Sequence, residues 1–252
     1  MKILSFKNTH HLGKVVFENE LYMHVHHPDM LLAYDSNYLE FKRTPTRDEF
    51  LVAEAYLRSF HIKNDQNHVK YYFPENEIPA TDLLAHFTDQ NYHVGILELY
   101  AIQPDQFPSV TDSPEITIKA VTIQNLETYL EFQYELDLMY GAGYAEQRHG
   151  QHKRNFQNER FMQLLAYYQG LPAGSLDIII SNEITEIDRL IVLESFQKKG
   201  IGSRMQKYVM DHFYDQTVIL VANGEDTARE MYKRQNYQYL GFTYEVMKVF
   251  EF

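Results

Sequence analysis

Residues 184–203 read ITEIDRLIVLESFQKKGIGS. The pattern predicts a long strand over Ile184 to Leu193 that closes on the apolar Leu190-Ile191-Val192, then a glycine-bearing loop, Gln197-Lys198-Lys199-Gly200-Ile201-Gly202-Ser203. This loop and the helix after it are predicted to span Gln197 to about Asp215. Glycine takes backbone torsions that other residues avoid and lets a ligand approach closely. The first turn of the helix offers unpaired N–H groups and the positive end of its dipole. Such a site holds a pyrophosphate. Lys198, Lys199 and Arg204 add positive charge locally. The loop is not a Walker loop, because no Gly-Lys-Ser/Thr ends it, and it lacks the G-x-G-x-x-G of a dinucleotide site. Taken alone, it also reads as a plain glycine-rich turn.

Outward from this stretch, the C-terminal half alternates strands and helices. Ile116 to Val121 is a short strand. Leu126, Tyr129, Phe132 and Leu136 mark a helix over Asn125 to Tyr140, and a polar helix follows at about Ala145 to Gln157. Strands are predicted at Arg160 to Tyr168 and Gly174 to Ile180, joined by a turn holding Gly170 and Pro172. Thr217 to Ala222 is nearly all apolar, the mark of a strand buried on both faces. A helix at Thr227 to Gln235 and a strand at Tyr239 to Phe250 close the chain. Upstream, QPDQFPSVTDSP (Gln103 to Pro114) has no period and three prolines, and places a domain boundary at about residue 112.

The N-terminal part reads as strands at Lys14–Glu18, Leu21–His26, Met30–Ala33 and Tyr38–Lys42. A helix (Arg47 to Ile62), a strand (His68 to Phe73), a helix (Ala80 to Gln90) and a strand (Val94 to Ile102) follow. Its tail repeats the C-terminal tail, and Gln90-Asn91-Tyr92 stands at the same joint as Gln235-Asn236-Tyr237. The shared order and triplet point to an internal duplication.

The 252 residues carry 23 Lys+Arg against 35 Asp+Glu, a net charge of −12, which argues against a nucleic-acid binder. There are no cysteines, so disulfides, thiol nucleophiles and thiolate metal sites are excluded. No apolar run approaches the ~18 residues of a membrane span. The first residues, MKILSFKNTHH, lack a signal-peptide pattern, so a cytoplasmic protein without membrane partners is expected. Nine of the twelve histidines precede residue 113. His24 and His26 share a strand face, yet no third metal ligand has suitable spacing, so these and His27 are expected at a surface or interface, with no metal bound.

The stretch from the apolar strand through the loop, helix, strand and a helix bearing A-x-x-x-Y resembles the GNAT superfamily of N-acetyltransferases. The matching residues are Leu190–Val192, Gln197–Gly202 and Ala228–Tyr232, within residues 113–252. The resemblance implies an α/β (α+β) fold, a mixed and mostly antiparallel splayed sheet flanked by helices, with acetyl-CoA in the opening as co-substrate. It places the pyrophosphate on Gln197, Lys198, Lys199, Gly200, Ile201, Gly202 and Ser203, and the pantetheine arm along Leu190, Ile191 and Val192. Tyr232 falls where the family's thiolate acid commonly stands, and Glu186 where some members carry a general base. Asp188, two residues on, competes for that role. The family's frequent Asn before the Ala falls at Glu225, with Asn223 nearby as the cofactor-binding candidate. Asn236-Tyr237 replaces the usual Gly-Phe after the helix, and Asn tolerates the left-handed conformation needed there.

An acetyl transfer to a primary amine by direct attack on the thioester follows. A carboxylate or its water removes a proton, the Val192 N–H stabilises the oxyanion, and Tyr232 protonates the thiolate. At the equivalent N-terminal junction, Arg43-Thr44-Pro45-Thr46-Arg47-Asp48 has no glycine. Residues 1–112 are therefore expected to form a degenerate GNAT-like domain in tandem, without a cofactor loop. The acceptor pocket is expected between the first two helices of the C-terminal domain and the N-terminal domain, with Tyr134, Tyr140, Tyr144 and His149 as lining candidates. The acceptor is a small-molecule or peptide amine, and a homodimer is compatible. The competing reading is a non-catalytic acetyl-CoA-binding or protein-interaction module.

Overall fold

The two Gln-Asn-Tyr triplets close two helices in the same way. In the computed structural model, which describes residues 4–224 and 228–251, Asn91 and Asn236 take φ of 56° and 65°. The following tyrosine N–H then reaches back to the helix, Tyr92 to the Phe87 carbonyl (2.9 Å) and Tyr237 to the Tyr232 carbonyl (3.0 Å). This is the left-handed cap that Asn adopts more readily than most residues. Each capped helix then releases the chain into a strand at the centre of one sheet.

The first half holds β1 (Lys14–Glu18), β2 (Tyr22–His26), β3 (Tyr38–Phe41), α1 (Arg47–Lys63), β4 (His68–Tyr72), α2 (Thr81–Asp89) and β5 (His93–Ile102). The second half begins with β6 (Ile116–Ala120), α3 (Leu126–Asp137), α4 (Ala142–Phe156), β7 (Phe161–Tyr168) and β8 (Leu171–Ile180). It continues with β9 (Ile184–Val192), α5 (Ile201–His212), β10 (Thr217–Asn223), α6 (Ala228–Arg234) and β11 (Gln238–Val249). The eleven strands among the described residues form one sheet, in the order β1-β2-β3-β4-β11-β5-β10-β9-β8-β7-β6. Apart from β6, the order is symmetric about its centre. β3 and β4 pair parallel, as β9 and β10 do, and the remaining pairs are antiparallel.

The last strand of each half lies inside the other half. β11 pairs with β4, and β5 pairs with β10, while β5 and β11 pair with each other from Gln238↔Ala101 to Met247↔His93. Leu99, Tyr100, Ala101, Ile102 and Val246 are all buried in this centre. Truncating a fully buried side chain of this kind to Ala typically costs about 2–5 kcal/mol.

Alternation along β8 fixes which helices cover which face. Ser175 and Asp177 meet Gln133 and Tyr129 of α3. Leu176 and Ile178 point the other way, into a core shared with Met205 and Val209 of α5 and Tyr232 of α6. α1 and α2 pack over a second core of Phe50, Leu57, Leu83 and Phe87 against Leu39, Val69 and Tyr71. On the α3–α4 face the centre of the sheet is crossed by the N-terminal segment, whose Leu4 and Phe6 border Leu99, Ala101, Ile184 and Ile219. No helix among the described residues is long and apolar enough to cross a membrane.

Two sequence expectations are corrected. Met30–Ala33 is not a strand but a pair of turns leading to a 3₁₀ turn at Tyr34–Ser36. The Asn37 amide donates to the carbonyls of Met30 (2.8 Å) and Ala33 (3.0 Å), supplying the partner that a neighbouring strand would have given. After the glycine loop α5 starts at Ile201, with the left-handed Gly200 (φ 85°) as its N-cap. His24 and His26 are not surface residues: both are buried, with their rings 4.5 and 5.0 Å from the ring of Phe60. Desolvation and the neighbouring His61 and His26 lower the pKa of His24 to about 3, so it stays neutral in the core. Glu225 and Thr227 lie outside the described residues.

The strand exchange makes each half incomplete alone. Residues 1–112 and 113–252 expressed separately are expected to be insoluble or to lack cooperative unfolding, since each exposes an unpaired edge. Co-expression should restore a soluble 1:1 complex, as size-exclusion chromatography and circular dichroism would read. Two independently folded, monomeric halves would be the contrary result.

Candidate active site

The opening in the sheet is created by a bulge. β9 pairs with β10 only over Ile184 to Ile187. Arg189 then takes φ of 49°, and the β8–β9 register shifts between Ser175 and Asp177. A bulge bends its strand and strengthens the local twist. β10 meanwhile continues to Asn223 beside β5. Leu190, Ile191 and Val192 are thus left with β8 alone. Leu193 donates its N–H to the Ala173 carbonyl of β8 (2.9 Å), so backbone alternation turns the N–H and carbonyl of Val192 to the open side.

The glycine loop stands at the end of this opening. Lys198 (φ 61°) and Gly200 (φ 85°) make the two left-handed turns that aim the chain into α5. Gly200 caps α5 without a side-chain hydrogen bond, so the first N–H groups are available to a ligand. A Cβ at Gly200 would meet nothing within 4 Å, and one at Gly202 only Val192 Cγ2 at 3.8 Å. The space above the loop is therefore open and would be filled by any side chain there. A depression of about 420 Å³ adjoins it, lined by Phe107, Val110, Lys199, Gly200, Ser203 and Arg204. Gln197 donates to the Val192 carbonyl (3.4 Å), Ser203 is bonded to Gln235 (3.3 Å), and Arg204 is held by the Thr111 carbonyl. Lys199 lies 5.0 Å from the Tyr168 ring centre. Asn223 ends β10, exposed. These residues have the open amides, positive charge and clearance that a pyrophosphate needs.

Tyr232 and Glu186 stand on opposite faces of the sheet. Tyr232 is 8% exposed, in the core that Leu190 and Val192 border, with its ring 5.4 Å from Tyr100 and 5.5 Å from Tyr237. Tyr100 belongs to β5, so the first half supplies part of its setting. Glu186 lies on the α3–α4 side and is also 8% exposed, accepting the His10 N–H at 2.6 Å. Desolvation, with a contribution from Asp188, raises its pKa to about 8. Asp188 is solvent-accessible, and its pKa is raised by desolvation and by Asp177 across the strand pair.

Beyond Asp188, a polar network fills the space between α3, α4 and the sheet. Arg189 donates to Asp137 (2.9 Å), and His152 lies 3.5 Å from the other Asp137 oxygen. Tyr129 donates to Asp177 (2.6 Å) and meets His152 (3.2 Å). Burial opposes ionisation of Asp137, but His152, Arg189 and Arg148 hold its pKa below the usual range. Sequence reading missed this network. Its signal was a stripe at helical spacing in α4, Ala145, Arg148, His152 and Asn155, all buried but mostly polar. Of the expected lining residues, Tyr144 faces the network, with Arg148, Arg189, Asp137 and Asp35 in electrostatic reach. Tyr140 is 65% exposed, while Tyr134 and His149 contact each other away from it (6.0 Å) and Tyr134 donates to Glu146 (3.0 Å).

The equivalent helix of the first half has a different start. Thr46 accepts the Glu49 N–H (3.3 Å), and Glu49 accepts the Thr46 N–H (2.9 Å) and binds Arg43 (2.6 Å). The start of α1 thus already holds a carboxylate where α5 is open.

Residues 125–237 match the acetyltransferase (GNAT) family, and residues 4–100 match a domain of unknown function (DUF5613). A conserved, functionally unknown protein of Staphylococcus epidermidis ATCC 12228 shares 31% identity, with 98% of each chain covered and a TM-score of 0.89. A GCN5-related N-acetyltransferase from Kribbella flavida shares 15% identity over 94% of this chain and 90% of its own, with a TM-score of 0.64. A tandem GNAT protein from the clavulanic acid biosynthesis pathway shares 10% over 84% and 75%, with a TM-score of 0.52. No curated protein matches in sequence. Residues 125–237 belong to the GNAT family, and the chain has the GNAT fold, a mixed and largely antiparallel sheet flanked by helices.

Glu186 gives this site a measurable pH signature. Its folded pKa of about 8 stands above its ordinary 4.5, so the folded protein binds the proton more tightly. Its contribution to stability is complete below pH 4.5 and is lost as pH rises through 8. Glu186→Gln keeps an acceptor for His10 and removes the charge. Chemical denaturation should find the variant about 1–3 kcal/mol more stable than the parent at pH 9, with little difference at pH 5.

Proposed function

We propose that the protein transfers an acetyl group from acetyl-CoA to a primary amine. The observation that carries this reading is the pairing of a parted β9 with an uncapped α5 start, one side offering backbone to a pantetheine arm and the other amides to a pyrophosphate. The amine loses a proton to Glu186, or to Asp188, directly or through water, and attacks the thioester carbonyl carbon. The C–N bond forms, and the oxyanion meets the N–H of Val192. The C–S bond then breaks, and the thiolate takes the Tyr232 proton, leaving an amide and free CoA. The site lies in the second half, residues 113–252. Residues 1–112 are a degenerate copy whose self-capped α1 leaves no second cofactor site.

Acetyl-CoA at 100 times its dissociation constant should stabilise the protein by about 2.7 kcal/mol. Calorimetry should count one site per chain, and Gly202→Phe should abolish the binding by filling the open space. An unchanged melting temperature at saturating acetyl-CoA would remove the cofactor assignment. Release of free CoA with an amine library separates an enzyme from a module that only binds.

Tyr232→Phe keeps the ring and loses the proton donor. Turnover should fall roughly 10²–10⁴-fold while acetyl-CoA affinity holds. A purely structural ring would instead give near-normal turnover. With Glu186 as the base, the acidic limb of the pH–rate profile should lie near pH 8 and vanish in Glu186→Gln. A limb that survives this change assigns the base to Asp188.

A further inference from the structure

Two opposite charges in the α3–α4 cleft have no side-chain partner. Arg148, on the buried stripe of α4, is only 7% exposed, and its Nε is closed from water without a hydrogen-bond acceptor. No acceptor lies within hydrogen-bond or ion-pair distance of its guanidinium among the described residues. The neighbouring acids are already engaged. Asp137 is held by Arg189 at 2.9 Å, Asp177 by Tyr129 at 2.6 Å, and Asp35 by Lys70 and by Tyr72 at 3.2 Å. Asp188, two residues before the open edge at Leu190, keeps solvent access and meets only the Arg189 backbone N–H. The charge of Arg148 acts on both Asp188 and Asp35, which places all three around one space.

Both halves contribute residues to this cluster. α4 reaches the first half through Gln147, which accepts the Leu32 N–H at 3.0 Å. Asp35 follows on the adjacent 3₁₀ turn, with its side chain 79% accessible although Lys70 grips it. A buried guanidinium without a counter-ion is costly, and it persists where it serves a ligand. A guanidinium pairs bidentately with carboxylate, the acids Asp35, Asp137 and Asp188 around it disfavour a more highly charged phosphate, and Asp188 offers the complementary seat for an ammonium group.

We propose that the acceptor is a zwitterion, an amino acid in the simplest case, whose carboxylate pairs with Arg148 while its amine sits at Asp188 beside the thioester. This rests on the acetyl-transfer reading and adds the acceptor class to it. Arg148 is a substrate-binding residue here, and Asp188 orients the amine whether or not it takes the proton.

The test is a panel of free amino acids, each paired with its decarboxylated amine, such as L-lysine with cadaverine and L-tyrosine with tyramine. The parent enzyme should prefer the carboxylated member of at least one pair. Arg148→Met should lower kcat/KM for that member about 30- to 1,000-fold, leaving the amine nearly unaffected and acetyl-CoA affinity intact. Because the guanidinium has no direct partner in the free protein and Asp137 keeps Arg189 and His152, the apo form of Arg148→Met should melt close to the parent. A clearly lower melting temperature would make Arg148 a structural residue and overturn the proposal. So would preference for the decarboxylated amines, or a carboxylate preference retained in the variant. Failure of the acetyl-transfer reading looks different: no acetyl-CoA binding at all. Calorimetric titration of the same amino acids into the parent and Arg148→Met, without acetyl-CoA, then still reads the carboxylate site. Binding to the parent alone supports it, and binding to neither or to both rejects it.

Discussion

Everything in this protein hangs on the pairing of β5 with β11. Each strand ends one half of the chain and completes the sheet of the other. The exchange buries two strands that would otherwise be sheet edges, and edges are what native proteins must cover. It also decides the setting of the candidate chemistry. Tyr100, from the first half, packs on Tyr232 of the second, and the N-terminal segment crosses the same centre to bring the His10 N–H to Glu186. The first half is thus part of the scaffold of the candidate site in the second, although its own helix start is already capped from within the chain.

The two halves show how one topology is kept for different ends. In both, a strand runs into a helix and a parallel strand follows. At α1 the start of the helix is closed by Thr46 and Glu49, with Arg43 neutralising the carboxylate. Such a capping box satisfies the orphan amides and complements the dipole from within the chain. At α5 the left-handed Gly200 leaves those amides without a side-chain cap. The stability given up at α5 by leaving the cap out is the opportunity for a bound anion.

The cleft on the other side of the sheet is electrostatically unfinished. Most of its buried groups answer one another: Asp137 with Arg189 and His152, Tyr129 with Asp177, Lys70 with Asp35 and Glu245. The buried Arg148 does not, Asp188 beside it faces solvent, and burial raises the pKa of Glu186 to about 8. Buried polar groups are normally satisfied, so the exceptions mark where a ligand completes the pattern. They gather beside the bulge at Arg189, the same feature that parts β9 from β10.

The chain's local order was legible in the residues themselves. Gly200 announced the loop because its left-handed φ favours glycine, Gly202 because it keeps the space above the first turn of α5 clear, and Asn236 announced the left-handed cap that Asn91 repeats. The apolar alternation placed nearly all the strands, because a strand's pattern is a local consequence of its pleat. Met30–Ala33 misled because its backbone bonds are taken by Asn37, a partner that the alternation does not reveal. His24 and His26 misled because a neutral imidazole packs like an aromatic ring once Phe60 covers it. The sequence by itself determined nearly all the elements, the glycine loop between β9 and α5, and the element order that the two halves repeat. Only the tertiary structure decided that the halves exchange strands, that Tyr100 and His10 reach the site, and that Arg148 is buried without a partner. Those facts depend on contacts between residues far apart in the chain, and no local pattern encodes which distant strand fills a given edge.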